Sequence, residues 1–330
     1  MTHTNITSER ELLGFTAPAS LQQPNRIAGH WMAAKIALSG LAVAAMMIRT
    51  GLRVAPENLG FAAASLLMFG LATARIWARR AASRFQEQLR DFSEDILLFL
   101  SICLLGVIAS YPLAADSSGF ADAGLHRMDQ FMHFDWLFWY RTVSHFPALQ
   151  LIGVWAYACI YVSPIILLGY FAWTHQRLAA RQFLVTFWLA IVLTLLLFPL
   201  FPAEGPLAYL WHGRIPYMPT SALYQEQLIP ALRTGRVTSI DMGALRGLVC
   251  APSFHTVSAV VYLAAAWPIK RLRWVLVSVN VAMLLATPIE GTHYLSDMIA
   301  GLFVAVFAIL AVRTGLRLVW ASNGKLAQST

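Results

Sequence analysis

The chain has 330 residues, 58% of them hydrophobic and only 12% charged, with a mean hydropathy of +0.61, which excludes an ordinary water-soluble globular domain. Its net charge of +8 does not mark a nucleic-acid binder, because the basic residues cluster in short loops between apolar runs and so report membrane topology. Cys103, Cys159 and Cys250 are too few and too scattered for a disulfide framework or a cysteine-based metal cluster, and read as lipid-buried or loop thiols.

The first 30 residues are polar and hold no apolar core ahead of a small-residue cleavage site, so no cleavable signal peptide is expected and the first span doubles as the signal anchor. After them come apolar runs long enough to cross the hydrocarbon core, roughly 30 Å thick, as helices of about 20 residues. Eight are delimited: Trp31 to Ile48, Leu59 to Trp77, Ile96 to Ala115, Leu149 to Trp173, Phe183 to Phe201, Ser253 to Ile269, Trp274 to Ile289 and Tyr294 to Val312. The first two carry Lys35 and several small residues, which leaves seven or eight passes as the range. The expected fold is an all-α polytopic membrane helix bundle of about eight transmembrane helices, with an interfacial helix and a long outward loop.

The interfacial helix is read from "LHRMDQFMHFDWLFWYRTVSHFP", Leu125 to Pro147, which mixes aromatics and charges at helical spacing. Phe131, Phe134, Trp136, Trp139 and Tyr140 would form its membrane-facing belt. His133, Asp135 and His145 lack the tight spacing of a metal set and read as solvated polar positions. The long loop runs from Pro202 to Cys250, more than a connection between helices needs. It places Arg233, Arg236 and Arg246 shortly before the sixth span, where guanidinium groups can hold an anion.

Organisation follows from these elements: a polar tail over 1–30, anchor spans plus interfacial helix over 31–147, a second helix bundle over 148–319 and a tail over 320–330. With the N-terminus inside, the cytoplasmic side collects Arg10 and Arg26; Arg75, Arg79, Arg80, Arg84 and Arg90; Arg177 and Arg181; Lys270, Arg271 and Arg273; and Arg313, Arg317 and Lys325. That is most of the 24 basic residues. The long loop then lies outside.

"APSFHTVSAV" opens the sixth span with His255 in its first turn, and "GTHYLSDMIAG" opens the eighth with His293. One intact span separates these two helices, so both histidines emerge on the same membrane face whichever way the chain is inserted. Both sit at helix N-termini, where free N–H groups and the helix dipole favour an anion such as phosphate. Pro252 and Ser253 suit a helix start, and Thr292 is the expected N-cap before His293. Asp297, four residues on, can hold one imidazole nitrogen of His293 while the other meets a substrate. The backbone N–H groups at Ser253 and Thr292 are the fallback for holding phosphate.

"PSFHT" followed by "GTHYLSDMIAG" resembles the second and third signature motifs of the type 2 phosphatidic acid phosphatase superfamily of integral membrane phosphatases and phosphotransferases, over roughly Phe198 to Gly315. That resemblance implies a nucleophile at His293 that forms a phosphohistidine, with Asp297 orienting it. It implies a general acid at His255 that later serves as base. It also implies a metal-independent reaction without cofactor, on a lipid substrate within the bilayer.

The chain departs from the phosphatase pattern in having no Arg-Pro pair, Thr287 six residues before His293, and Phe254 in a motif that commonly reads Ser-Gly-His. The clamp on phosphate is therefore expected from the long loop, in the order Arg233, Arg246, Arg236. In motif style, "ATPIEGTHYLSD" is similar to the inositol phosphorylceramide synthase branch, which implies headgroup transfer to a second alcohol. Localisation in a bacterial cytoplasmic membrane, with the site on the extracytoplasmic face, completes the expectation. Two other classes fit the same residues: a non-catalytic lipid-headgroup-binding or transport protein, and a metal-dependent hydrolase ligated by His255, His293 and Asp297.

Overall fold

The computed structural model describes residues 26–56, 59–78 and 83–327. Most of the polar N-terminal tail, Arg10, Arg79, Arg80 and the end of the C-terminal tail lie outside the described residues. Helix α1 (Arg26–Thr50) leads through a three-residue strand, β1 (Arg53–Ala55), to α2 (Leu59–Trp77). Helix α3 (Arg84–Asp116) starts a full three turns before the apolar run at Ile96. Its start is fixed by a capping box: the Ser83 hydroxyl accepts the Gln86 N–H at 3.3 Å, and the Gln86 side chain accepts the Ser83 N–H at 3.2 Å.

Those extra turns are polar for a reason. Glu94 pairs with Arg75 of α2 at 2.9 Å and with Arg181 of helix α7 (Arg177–Leu197), while Asp91 accepts from Arg177 at 2.5 Å. Three helices are thus tied together at one end of the bundle. At the opposite end Arg49 of α1 bonds Asp116 of α3, and β1 pairs in parallel with β2 (Ser239–Asp241), Arg53 facing Ser239. The α1–α2 connection therefore shares a face with the 202–250 segment.

The expected single interfacial helix is two helices, α4 (Asp122–Phe131) and α5 (Trp136–His145). The chain breaks at His133, which has a left-handed φ of 56°, and Asp135 restarts it by accepting the Phe138 N–H at 3.0 Å. Trp136 and Tyr140 do not face lipid; they are 2% and 0% exposed. Buried aromatics with polar tips require partners. The Trp136 indole donates to the Pro288 carbonyl at 2.8 Å and the Tyr140 hydroxyl to the Tyr217 carbonyl at 2.6 Å. Phe131 and Trp139 remain exposed, and Phe134 is half-buried. His133, Asp135 and His145 do not converge: Asp135 is a cap, and His145 Nδ1 lies 2.6 Å from the Arg141 carbonyl.

Helix α6 (Pro147–Trp173) precedes α7, and the 202–250 segment folds into α8 (Pro206–Leu210), α9 (Tyr224–Arg233), β2 and a 3-10 turn at Met242–Ala244. It is not a loose loop. Ile229, Leu232, Ile240 and Leu248 are buried with Ala109, Tyr111 and Ala114 of α3. The chain ends with α10 (Phe254–Ala266), α11 (Arg273–Glu290) and α12 (Leu295–Ala327), the last absorbing most of the expected C-terminal tail.

Seven of these helices are long and apolar enough to cross a membrane. The sixth expected pass is the exception, a helix of only 13 residues, α10. At 1.5 Å per residue it is about 20 Å long, against about 30 Å of hydrocarbon. It sits at the centre of the bundle, packed on α6, α7, α11 and α12, so it never has to satisfy lipid along its whole length. Small buried residues, Ala259, Ala265 and Ala266, allow the close approach. Gly301 of α12 shows how close: a Cβ there would lie 2.6 Å from the Ser253 carbonyl oxygen.

Candidate functional site

His293 lies two residues before α12 begins, so it and Asp297 do not share a continuous helix. They still meet. Asp297, in the first turn of α12, accepts the Tyr294 N–H at 2.9 Å and brings its carboxylate to 3.1–3.2 Å from His293 Nδ1. Nδ1 is thereby committed and Nε2 is left for another partner. Both residues are buried, at 4% and 0% exposure.

His255, the second residue of α10, stacks on Tyr157 of α6, with the tyrosine hydroxyl 3.0 Å from its Nδ1. Ser253 fixes the start of α10 by accepting the Thr256 N–H at 3.4 Å. The rings of His255 and His293 are 6.3 Å apart between centroids. Gly291 permits this arrangement, since a Cβ there would fall 2.5 Å from His293 Cδ2 and 3.0 Å from the Tyr157 hydroxyl. The pair lines a cavity of about 620 Å³ whose wall also carries Thr220, Ser221, Gln225 and Arg246.

A buried frame, absent from the sequence expectations, holds His293 in place. Asp129 of α4 caps α12 by accepting the Leu295 and Ser296 N–H groups at 2.9 and 2.8 Å. Asp122 accepts the Tyr294 hydroxyl at 2.9 Å and the Glu204 and Gly205 N–H groups at 3.1 and 3.0 Å. Burial pushes the Asp122 carboxyl above its ordinary value against the pull of these donors. Glu290 accepts from the Tyr217 hydroxyl at 2.6 Å and the Thr220 hydroxyl at 2.7 Å, and so pins the 217–221 stretch over the site. Burial and the bond to Glu290 push the Tyr217 phenol up, which keeps it a donor. No sequence signal marks these residues, because each reaches a partner more than sixty positions away.

The expected phosphate binders separate. Arg246 lines the cavity, with its guanidinium 5.2 Å from the Tyr224 ring centroid. Arg233 is directed elsewhere: it donates to the Ser117 hydroxyl at 2.8 Å and the Gly119 carbonyl at 2.7 Å, and lies 4.8 Å from the Phe120 ring centroid. Arg236 is exposed and bonds Thr234. The Ser253 N–H is spent on the Asp297 carbonyl and the Thr292 N–H on the Ile289 carbonyl, at 3.0 and 3.1 Å. Thr292 is not an N-cap; it takes a left-handed φ of 48°, and its hydroxyl lies 3.1 Å from that of Ser221. Thr287 is likewise engaged, donating to the Met283 carbonyl at 2.7 Å.

Among the described residues, the trio near enough to share a metal is Cys250, His293 and Asp297, with ligand atoms within 4.8 Å; His255 is outside it. Burial and the Asp297 carboxylate push the Cys250 thiol well above its ordinary value. Its Sγ lies 3.6 Å from Asp297 Oδ2, to which it donates.

A family model described as the PAP2 superfamily matches residues 123–311. No curated protein and no solved structure matches the chain. The matched stretch runs from α4 into α12 and leaves α1, α2 and α3 outside. It covers more than half of the chain and takes in both histidine-bearing helix starts with their capping frame, and on that basis the chain belongs to the PAP2 superfamily, a group of phosphatases and phosphotransferases built on membrane helices.

Proposed function

We propose that the protein is a membrane-embedded lipid phosphotransferase or lipid phosphatase that works through a phosphohistidine at His293. The observation that carries this reading is the pairing of His293, its Nδ1 held by Asp297 at 3.1–3.2 Å, with a second, half-buried histidine across 6.3 Å in one cavity. Two imidazoles this close can act on one phosphoryl group, one from the attacking side and the other at the oxygen that leaves.

In the first step His293 Nε2 attacks phosphorus, and the bond from phosphorus to the leaving alkoxide oxygen breaks as His255 delivers a proton to that oxygen. Asp297 stabilises the positive charge that develops on the His293 ring. In the second step the now neutral His255 takes a proton from water or an alcohol, whose oxygen attacks phosphorus as the P–N bond breaks. Water makes a phosphatase and an alcohol a transferase. The likeness of "ATPIEGTHYLSD" to the inositol phosphorylceramide synthase branch supports transfer to a ceramide-like or glycerolipid alcohol. Arg246, the loop arginine that lines the cavity, is assigned to the equatorial oxygens. The distribution of basic residues supports a site on the extracytoplasmic face of a bacterial cytoplasmic membrane.

The test is incubation of the purified protein with phospholipids and lipid phosphates, with and without ceramide or diacylglycerol, followed by mass spectrometry of lipid and aqueous products. Inorganic phosphate marks hydrolysis and a new phospholipid marks transfer. His293→Ala should lower turnover by about four to six orders of magnitude. Partial function surviving in His293→Ala would instead identify a headgroup-binding or transport protein.

A further inference from the structure

The cavity lined by His255 and His293 continues well past the reach of phosphoryl chemistry. Along α3 its lining runs from Ser110 down to Phe99, about 16 Å at 1.5 Å per residue. Leu100 and Cys103 of α3 and Phe187 and Ile191 of α7 line the same deep part. The deep part is mainly apolar, with Cys103 and Tyr262 among its lining residues. The volume of about 620 Å³ is that of a site for one ligand.

Two walls come from outside the matched family region, α3 and α2. Ala64, Leu67 and Met68 of α2 line the cavity. This helix has no fully buried residue, and rests on α3 and on the Met242–Ala244 turn. Leu67 of α2 and Tyr161 of α6 both line the cavity and are 53% and 74% exposed. A side chain that faces both the interior and the outside stands on a rim. The rim between α2 and α6 thus opens the chamber sideways, among the apolar surfaces that face lipid.

We infer that this chamber holds one hydrocarbon chain of a lipid phosphate whose phosphate lies between His255 and His293, that the chain enters past Leu67 and Tyr161, and that Ala64, Leu67 and Met68 set the chain length accepted. The inference rests on the reading of the histidine pair as a phosphate site. A chain that leaves the bilayer for this chamber gains nothing from the hydrophobic effect, since lipid is as apolar as the lining. Selection therefore comes from fit: unfilled length forfeits dispersion contacts, and excess length forces strain. Helix α2, packed on few neighbours, is the wall that can differ without disturbing the histidines.

The full-length protein in lipid nanodiscs is photolabelled with phosphatidic acid carrying a diazirine at the end of a palmitoyl or an octanoyl chain, and adducts are mapped by mass spectrometry. The palmitoyl probe should label Phe99, Leu100 or Cys103. In Met68→Trp that labelling should fall about tenfold, while the octanoyl probe keeps its adducts nearer Val107. Ala64→Leu gives an independent, milder filling of the same wall and should shift labelling in the same direction. Adducts confined to outward residues such as Leu66, Phe69 and Ile165, unchanged by either substitution, would overturn the inference. Labelling needs no turnover. A His293→Ala protein that still turns over substrate would sink the phosphohistidine reading alone, and exterior-only labelling would sink the chamber alone.

Discussion

Arg246 and Arg233 are both arginines of the 202–250 segment, and the sequence expectation places Arg233 ahead of Arg246, both lying upstream of the His255 helix. Their surroundings reverse that ranking. Arg233 spends its donors on Ser117 and Gly119 and its face on Phe120, so it fastens α9 to the end of α3. Arg246 stands on the cavity wall beside Gln225, whose buried Oε1 has no protein partner. A guanidinium that follows charge onto the equatorial oxygens contributes mainly in the transition state. Arg246→Ala should therefore reduce turnover by about two to three orders of magnitude at unchanged expression. Arg233→Ala should cost about 1 kcal/mol of stability through its lost hydrogen bonds, with turnover near wild type. Thermal unfolding and steady-state kinetics on both variants separate the roles; the reverse pattern would return the clamp to Arg233.

At the scale of elements, what is local in the chain was legible and what is long-range was not. Apolar run length located α2 at Leu59–Trp77 because a span is set by its own residues. The pairing of His293 with Asp297 was legible for the same reason, although it forms across the cap of α12 and not along its body. Aromatic spacing could not say whether Trp136 and Tyr140 meet lipid or protein, because both are apolar surroundings. Only the carbonyls of Pro288 and Tyr217, far along the chain, decide it. The shortness of α10 was hidden likewise, since it depends on four helices packed around it. Its contact with α12 gives a direct test. Gly301→Leu must displace Ser253, whose carbonyl would lie 2.6 Å from the new Cβ, and with it His255. Turnover should drop by about two orders of magnitude from that misplacement of roughly 1 Å, while the protein still inserts and purifies as a folded species. Asp129→Ala, which uncaps α12, should cost about 1–2 kcal/mol and disturb His293 from the other side. Wild-type turnover in both variants would show that the two helix starts tolerate independent movement.

At the scale of the whole molecule, two sets of ties fix which helix ends lie together. Glu94 with Arg75 and Arg181 gathers the ends of α2, α3 and α7 on one face. The β1–β2 pairing and Arg49 with Asp116 gather the 202–250 segment, the end of α1 and the end of α3 on the other, with the histidines. Insertion then has only two choices, related by inversion. The connection between α10 and α11 carries Lys270 and Arg271, with Arg273 opening α11 and no acidic residue among them, and such short basic loops remain in the cytoplasm. The long 202–250 segment obeys that rule poorly, so its arginines do not counter it. We therefore expect the histidine face to be extracytoplasmic. Single-cysteine proteins lacking Cys103, Cys159 and Cys250 test this with a membrane-impermeant thiol reagent on intact cells. Thr234 and Arg271 are both exposed and stand at opposite ends of the bundle. Thr234→Cys should label from outside, and Arg271→Cys only after permeabilisation. The opposite pattern would place phosphoryl chemistry on the cytoplasmic leaflet while leaving His255 and His293 on a common face, because the ties that pair them do not depend on the direction of insertion.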